Sequence, residues 1–236
     1  MSNLKLTFSS NNILGSLAYP LGAVFIYLGI LVVIAEALSR LSDDPELTRK
    51  VVHIGSGNVI LLAWWLDISR SVIVSAAIIA AAIAILSYIV PILPSIESVG
   101  RKSFGTLFYA ISMGILAGCF WQNSPQYAVI GILVMAWGDG MAAIIGQRFG
   151  KHKYQIGQVS KSWEGSLAMA AAAAIVTGII LVVVEGNSWQ TWTISIVVAL
   201  TATILEAFSK LGLDNLTVPL ASGFLCFFGI EALFLN

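Results

Sequence analysis

"WGDGMAAIIGQRFGKHKYQIGQVSKSWEGS" (Trp137–Ser166) holds two acids, six glycines and several bases between two runs that are apolar almost throughout. The run before it, 127–146, and the run after it, 165–184, each have the length and composition of a membrane helix. About 20 apolar residues carry a helix across the hydrocarbon. The polar segment therefore reads as the return between two spans, not as the surface of a soluble domain. Working outward, six further stretches qualify: 14–38, 51–66, 71–92, 104–121, 190–208 and 216–235. The predicted fold is an all-α, polytopic integral membrane helix bundle of about eight transmembrane helices. Only "LDISRS" (Leu66–Ser71) separates the second stretch from the third, so the count is seven if that turn is not made. Loops are short and no internal repeat is visible, which predicts a single membrane domain over 1–236 with its active-site loop region at 137–166.

Composition supports this. Of 236 residues, 58% are hydrophobic and 10% charged, with a mean hydropathy of +0.92, whereas soluble domains carry about 25% charged residues. A net charge of zero gives no reason to expect a nucleic acid partner. Cys119 and Cys226 lie in apolar runs without metal-site spacing and read as small core hydrophobes. The N-terminal "MSNLKLTFSSNN" has the character of neither a cleavable export signal nor an Arg-rich transit peptide, so the first apolar run is expected to be a retained span.

Charge then orients the bundle. The first, third, fifth and seventh loops hold Arg40, Arg49, Lys50, Arg101, Lys102, Arg148, Lys151, Lys153, Lys161 and Lys210; the other side keeps Lys5 and Arg70. Lys and Arg concentrate on the cytoplasmic side of membrane proteins, which places both termini on the opposite face. The same count brings His53, Asp139, Glu164, Glu206, Asp214 and Asn215 to the cytoplasmic ends of helices. Polar groups gathered at one membrane face suit a water-soluble reactant that meets a lipid-embedded one.

Each motif has two readings. A carboxylate inside a membrane helix costs about 2.5–3.5 kcal/mol on insertion scales and persists facing a cavity or a partner. Asp139 is thus a structural acid paired with a lysine on a neighbouring helix, or a magnesium ligand or base. In the second case Gly138 and Gly140 would let a phosphate or metal approach the backbone. The segment "GQRFGKHKYQIGQVSKS" (Gly146–Ser162) combines glycines with Arg148, Lys151, Lys153 and Lys161 ahead of a helix start. Topology alone would explain the cations, but helix N-termini and backbone amides also bind phosphate. The spacing is not that of a Walker loop, since three residues and not four separate Gly146 from Gly150, and Lys151 precedes His152. Ser162 is a helix cap with Glu164 in the first turn, whether or not either has a further role. "RKVVHIGSGN" sets Arg49, Lys50 and His53 within one turn or so of each other. "LDNLTVP" sets Asp214 and Asn215 at a helix start, as an ordinary cap or as further ligands. With no serine or cysteine nucleophile set, direct displacement aided by metal and cations is preferred to a covalent route.

"RKVVHIGSGN", "RKSFGTLFY", "WGDGMAAIIGQRFGKHKY", "KSWEGS" and "LDNLTVP", in that order, resemble the polyprenol kinase family, and within it the phytol kinases more than the dolichol kinases or the CTP-dependent diacylglycerol kinases. The likeness runs from about Glu46 to Pro219. It implies a membrane enzyme that moves the γ-phosphate of CTP, or another nucleoside triphosphate, to phytol or a related prenol, with Mg2+ or a similar divalent cation. The product would feed tocopherol and prenyl-lipid synthesis. Under that resemblance the chemistry assigns Asp139 to magnesium or to the alcohol proton, with Glu164 or Asp214 completing the metal site. Lys161, with Lys151 and Arg148, would neutralise the triphosphate, and His53 would act as base or phosphate donor. Lys153, Ser162, Arg49 and Lys50 are candidate phosphate contacts, with Glu206 and Asn215 as neighbours. The implied setting is a bacterial plasma or thylakoid membrane, or a plastid membrane.

Two other classes share single features with this sequence. CDP-alcohol phosphotransferases share the Asp-Gly start, but Ala143-Ile144 stand where their Ala-Arg pair would be and their later aspartates are missing. A small transporter would use Asp139 and Glu206 to line a path, yet transporters place such groups near the midplane and often show repeats.

Overall fold

In a computed structural model the described residues are 13–42, 44–89, 104–157 and 159–234. Their helices are α1 (Ile13–Leu41), α2 (Pro45–Gly57), α3 (Val59–Trp65), α4 (Arg70–Ile89), α5 (Gly105–Phe120), α6 (Pro125–Phe149), α7 (Trp163–Glu185), α8 (Trp189–Phe208) and α9 (Asp214–Phe234). Strands β1 (Lys153–Ile156) and β2 (Val159–Ser162) form an antiparallel hairpin between α6 and α7.

Six of these helices are long and apolar enough to cross a membrane, and α5 is a shorter apolar helix. The fold is an all-α membrane bundle. Each of the eight apolar stretches has a helical counterpart, with one difference. The stretch expected at 51–66 is two helices, α2 and α3, meeting at Asn58. The glycines and serine of "GSGN" weaken the helix there, since glycine is about 1 kcal/mol worse than alanine in a helix interior. Asp44 starts α2 by accepting the backbone N–H groups of Glu46 and Leu47 at 3.1 Å, with Pro45 following. The turn at "LDISRS" is real: α3 ends at Trp65, α4 begins at Arg70, and Trp121 Nε1 donates to the Ile68 carbonyl at 2.7 Å. Arg101 and Lys102, counted on the basic side, lie outside the described residues, as does Lys5.

The centre of the bundle is α6, which packs on α2, α3, α5, α7, α8 and α9. Val129, Ile130, Ile132, Val134 and Met135 are fully buried. The outer faces stay apolar: Phe25, Ile26 and Val33 on α1, Ile179 and Val183 on α7, and Leu200 and Ile204 on α8 are all exposed. In water such a surface would drive aggregation, whereas in lipid it carries no penalty.

Ion pairs fix which end is which. Lys161, in β2 just before α7, bonds Glu206, near the end of α8, and Lys50 in the middle of α2 reaches Asp139 in the C-terminal half of α6. The polar ends of these helices therefore lie together at one end of the bundle.

Candidate active site

Along α6, Asp139, Ala142, Ala143, Gly146 and Gln147 recur at helical spacing and form one stripe of small and polar groups. This stripe is the floor of a cleft of about 500 Å³. The hairpin closes one wall with Lys153, Ser160 and Lys161, and the start of α7 adds Ser162, Gly165 and Ser166. Glu206 of α8 completes it. The cleft runs from the hairpin down to Asp139, ten residues before the end of α6 and so about 15 Å into the bundle. The polar segment is thus less loop than expected, because α6 continues to Phe149 and a hairpin follows.

The hairpin sits close to the helices because nothing large intervenes. A Cβ on Gly165 would come 2.9 Å from the Ala142 carbonyl and 3.1 Å from Ser162 Oγ; one on Gly146 would come 3.1 Å from the same hydroxyl. Such small-residue crossings let membrane helices approach closely. Ser162 caps α7 as expected, its Oγ accepting the Gly165 N–H at 3.1 Å.

Two ion pairs set the electrostatics. Lys50 pairs with Asp139, and Lys161 donates to both the carboxylate and the carbonyl of Glu206. Asp139 is therefore paired with a lysine on a neighbouring helix, one of its two expected readings, while also lining the cleft. His53 Nε2 lies 3.6 Å from Asp139 Oδ2. Asp214 interacts electrostatically with Asp139, Lys161 and Glu206, and Arg49 with Asp139 and Asp214. Residues spread from Arg49 to Asp214 in the chain thus share one electrostatic site.

Other expected residues stand elsewhere. Glu164 does not line the cleft; its carboxylate accepts the His152 backbone N–H at 3.2 Å and pairs with His152 Nδ1 at 2.7 Å, tying the start of the hairpin to α7. Asp214 starts α9 with its N–H donating to Ser209 Oγ at 2.6 Å, and Asn215 donates to the Gly212 carbonyl at 3.3 Å; neither lines the cleft. Arg49 binds Glu46 at 2.8 Å, on the same helix. Arg148 and Lys151 are exposed near the hairpin, outside the lining, whereas Lys153 lines the cleft and has no ion pair among the described residues. The expectation for Gly138 and Gly140 is corrected. Met169 of α7 fills the space beside Gly138, and Ile54 of α2 comes 2.5 Å from a Cβ on Gly140, so both are helix-packing positions with no room for a phosphate. Gln147, Ser160 and Ser166 were missed, although the first falls on the Asp139 stripe.

Among the described residues no three or more His, Cys, Asp or Glu side chains gather to hold a metal ion. Magnesium is usually held by one or two carboxylates together with the substrate's phosphates. Asp139 and Glu206, both on the cleft wall, supply such a pair. The donor set fits an ion that arrives with a triphosphate, not one kept in a protein cage.

Residues 12–211 match the cytidylyltransferase family. The chain is 52% identical over 210 residues to a phytol kinase of Synechocystis sp., covering 88% of this chain and 90% of that protein. It is 31% identical over 207 residues to a probable chloroplastic phytol kinase of Triticum aestivum, 78% of this chain and 67% of that protein. It is also 33% identical over 144 residues to a chloroplastic farnesol kinase of Arabidopsis thaliana, 55% of this chain and 45% of that protein. No solved structure matches.

Proposed function

The chain belongs to the cytidylyltransferase family, among its phytol kinases, and from that premise we propose that it transfers the γ-phosphate of CTP to phytol or a related prenyl alcohol. The observation that carries this reading is the cleft itself: carboxylates Asp139 and Glu206 and cations Lys153 and Lys161 line one cavity at one end of an apolar bundle. A phosphoryl transfer needs little covalent chemistry from the protein, mainly positioning and charge stabilisation.

In the reaction the alcohol oxygen forms a bond to Pγ, the bond from Pγ to the β–γ bridging oxygen breaks, CDP leaves, and the alcohol proton passes to a base. Lys161 and Lys153 lie against the triphosphate, with Arg148 and Lys151 attracting it at the rim. Ser160 and Ser162 offer hydroxyls along the same wall. Asp139 and Glu206 would hold Mg2+, which supplies neutralisation of the phosphate charge. Lys50 pairs with Asp139 and holds it in place. The prenyl chain lies between helices in the apolar part of the bundle, with the site on the cytoplasmic face of a bacterial plasma or thylakoid membrane.

The test is a matrix of CTP, UTP, ATP and GTP against phytol, geranylgeraniol, farnesol, dolichol and diacylglycerol with purified protein in lipid, scoring phosphorylated lipid. Phytyl phosphate from CTP is expected, with Asp139→Asn and Lys161→Ala lowering the rate at least about a hundredfold. Product only from dolichol or diacylglycerol would move the chain to those branches. No nucleotide consumption with any alcohol would return it to the transporter reading.

A further inference from the structure

Helices α2, α5 and α6 meet at Gly57, which abuts Ala136; a Cβ on this glycine would come 3.3 Å from the hydroxyl of Tyr109. Here two residues with adjacent rings each bury a polar atom without a hydrogen-bond partner among the described residues, His53 Nε2 and Tyr109 Oη. Their rings are in contact, with centroids 5.6 Å apart and planes tilted by 53°. An unsatisfied buried polar group costs about 1–3 kcal/mol, so two on adjacent rings leave hydrogen-bonding capacity for a third polar group. Neither residue lines the cleft, yet His53 Nε2 is 3.6 Å from Asp139 Oδ2, which does.

We propose that His53 Nε2 and Tyr109 Oη together seat the hydroxyl of the acceptor alcohol, across Asp139 from the cleft that takes the triphosphate. This rests on the kinase reading above. A hydroxyl has one hydrogen to donate and two lone pairs. Its hydrogen goes to His53 Nε2, with the imidazole neutral and its own proton on Nδ1. One lone pair accepts the Tyr109 O–H, and the other is left to attack Pγ. As the O–Pγ bond forms and the bond from Pγ to the β–γ bridging oxygen breaks, releasing CDP, the alcohol proton passes to Nε2. The imidazolium then faces the Asp139 carboxylate. In-line displacement needs attacking and leaving oxygens on opposite sides of phosphorus, which is met when alcohol and triphosphate approach from opposite sides of Asp139. The apolar body of α5 flanks the seat, so the alcohol enters with its tail still in hydrocarbon.

Tyr109→Phe separates this role from a structural one, because a hydroxyl with no partner in the fold adds nothing to stability. Purified Tyr109→Phe should keep or raise the thermal midpoint, raise KM for phytol about tenfold, and leave KM for CTP unchanged. Phytol without nucleotide should raise the midpoint of the native protein more than that of the variant. His53→Gln should lower kcat with KM for CTP unchanged. The proposal is overturned if Tyr109→Phe binds phytol and turns it over as the native protein does, or if the variant is destabilised, which would reveal a structural bond. If phytol stabilises the native protein more than Tyr109→Phe, yet no phosphorylated lipid forms, the hydroxyl seat stands and the kinase reading fails.

Discussion

Lys50 and Asp139 neutralise each other at the inner end of the cleft, their side chains only 5% and 16% exposed. Removing one member of such a pair leaves an uncompensated buried charge, which costs about 3–5 kcal/mol, whereas replacing both can be close to neutral. Lys50→Met should therefore sharply lower the thermal midpoint of purified protein. Adding Asp139→Asn to it should recover most of that loss without recovering kinase activity. A double variant as unstable as Lys50→Met would mean that the lysine stem, not the charge pair, carries the stability. At this scale the sequence was half legible. Asp139 stood out because a lone acid inside an apolar run needs a reason. Its partner did not, because Lys50 is 89 positions away and no local spacing marks the pairing. Tyr109 was hidden for another reason: it follows Phe104 and Phe108 in a run where another aromatic reads as core.

Between the residues and the whole stands the crossing of α6 and α7. Its two small faces, Ala142 and Gly146 against Gly165, let the hairpin close the cleft over the Asp139 stripe. A side chain at Gly165 would press on the Ala142 carbonyl and Ser162 Oγ, both backbone or cap atoms with little freedom to move. Overpacking of this kind costs about 1–3 kcal/mol. Gly165→Val should lower the thermal midpoint and raise KM for CTP more than KM for phytol, since the distortion falls on the phosphate wall. Ile179→Val on the exposed face of the same helix should change neither beyond about 0.5 kcal/mol. Equal effects of Gly165→Val on both KM values would show that the crossing supports the whole site and not one wall. The long helices were legible from unbroken apolar runs. The hairpin was not, because its strands are four residues each, too short for alternation to outweigh the glycines and lysines around them. The break at Asn58 left only "GSGN" as a trace inside a run otherwise apolar enough for one span.

For the molecule as a whole, the pairings convert a charge count into geometry. Lys50 with Asp139 and Lys161 with Glu206 tie α2, α6, α7 and α8 together at one end. Arg40, at the end of α1, joins that end through the short turn into α2, and Lys210 joins it between α8 and α9. Among the described residues the basic ones, Arg70 apart, thus cluster around the same end as the cleft. Gln190 lies at the other end, sixteen residues before Glu206 along α8 and so about 24 Å away. That distance is close to the roughly 30 Å thickness of the hydrocarbon. With the exposed Cys119 and the buried Cys226 replaced, single cysteines at Lys151 and Gln190 should react with a membrane-impermeant thiol reagent from opposite faces. If the excess of Lys and Arg marks the cytoplasmic side, the site at Lys151 should react only when that side is open. Labelling of both from one face would break the link between the cleft and the basic end. Labelling of Lys151→Cys from outside would keep the architecture but deny the cleft the cytoplasmic nucleotide pool on which a CTP-dependent kinase relies.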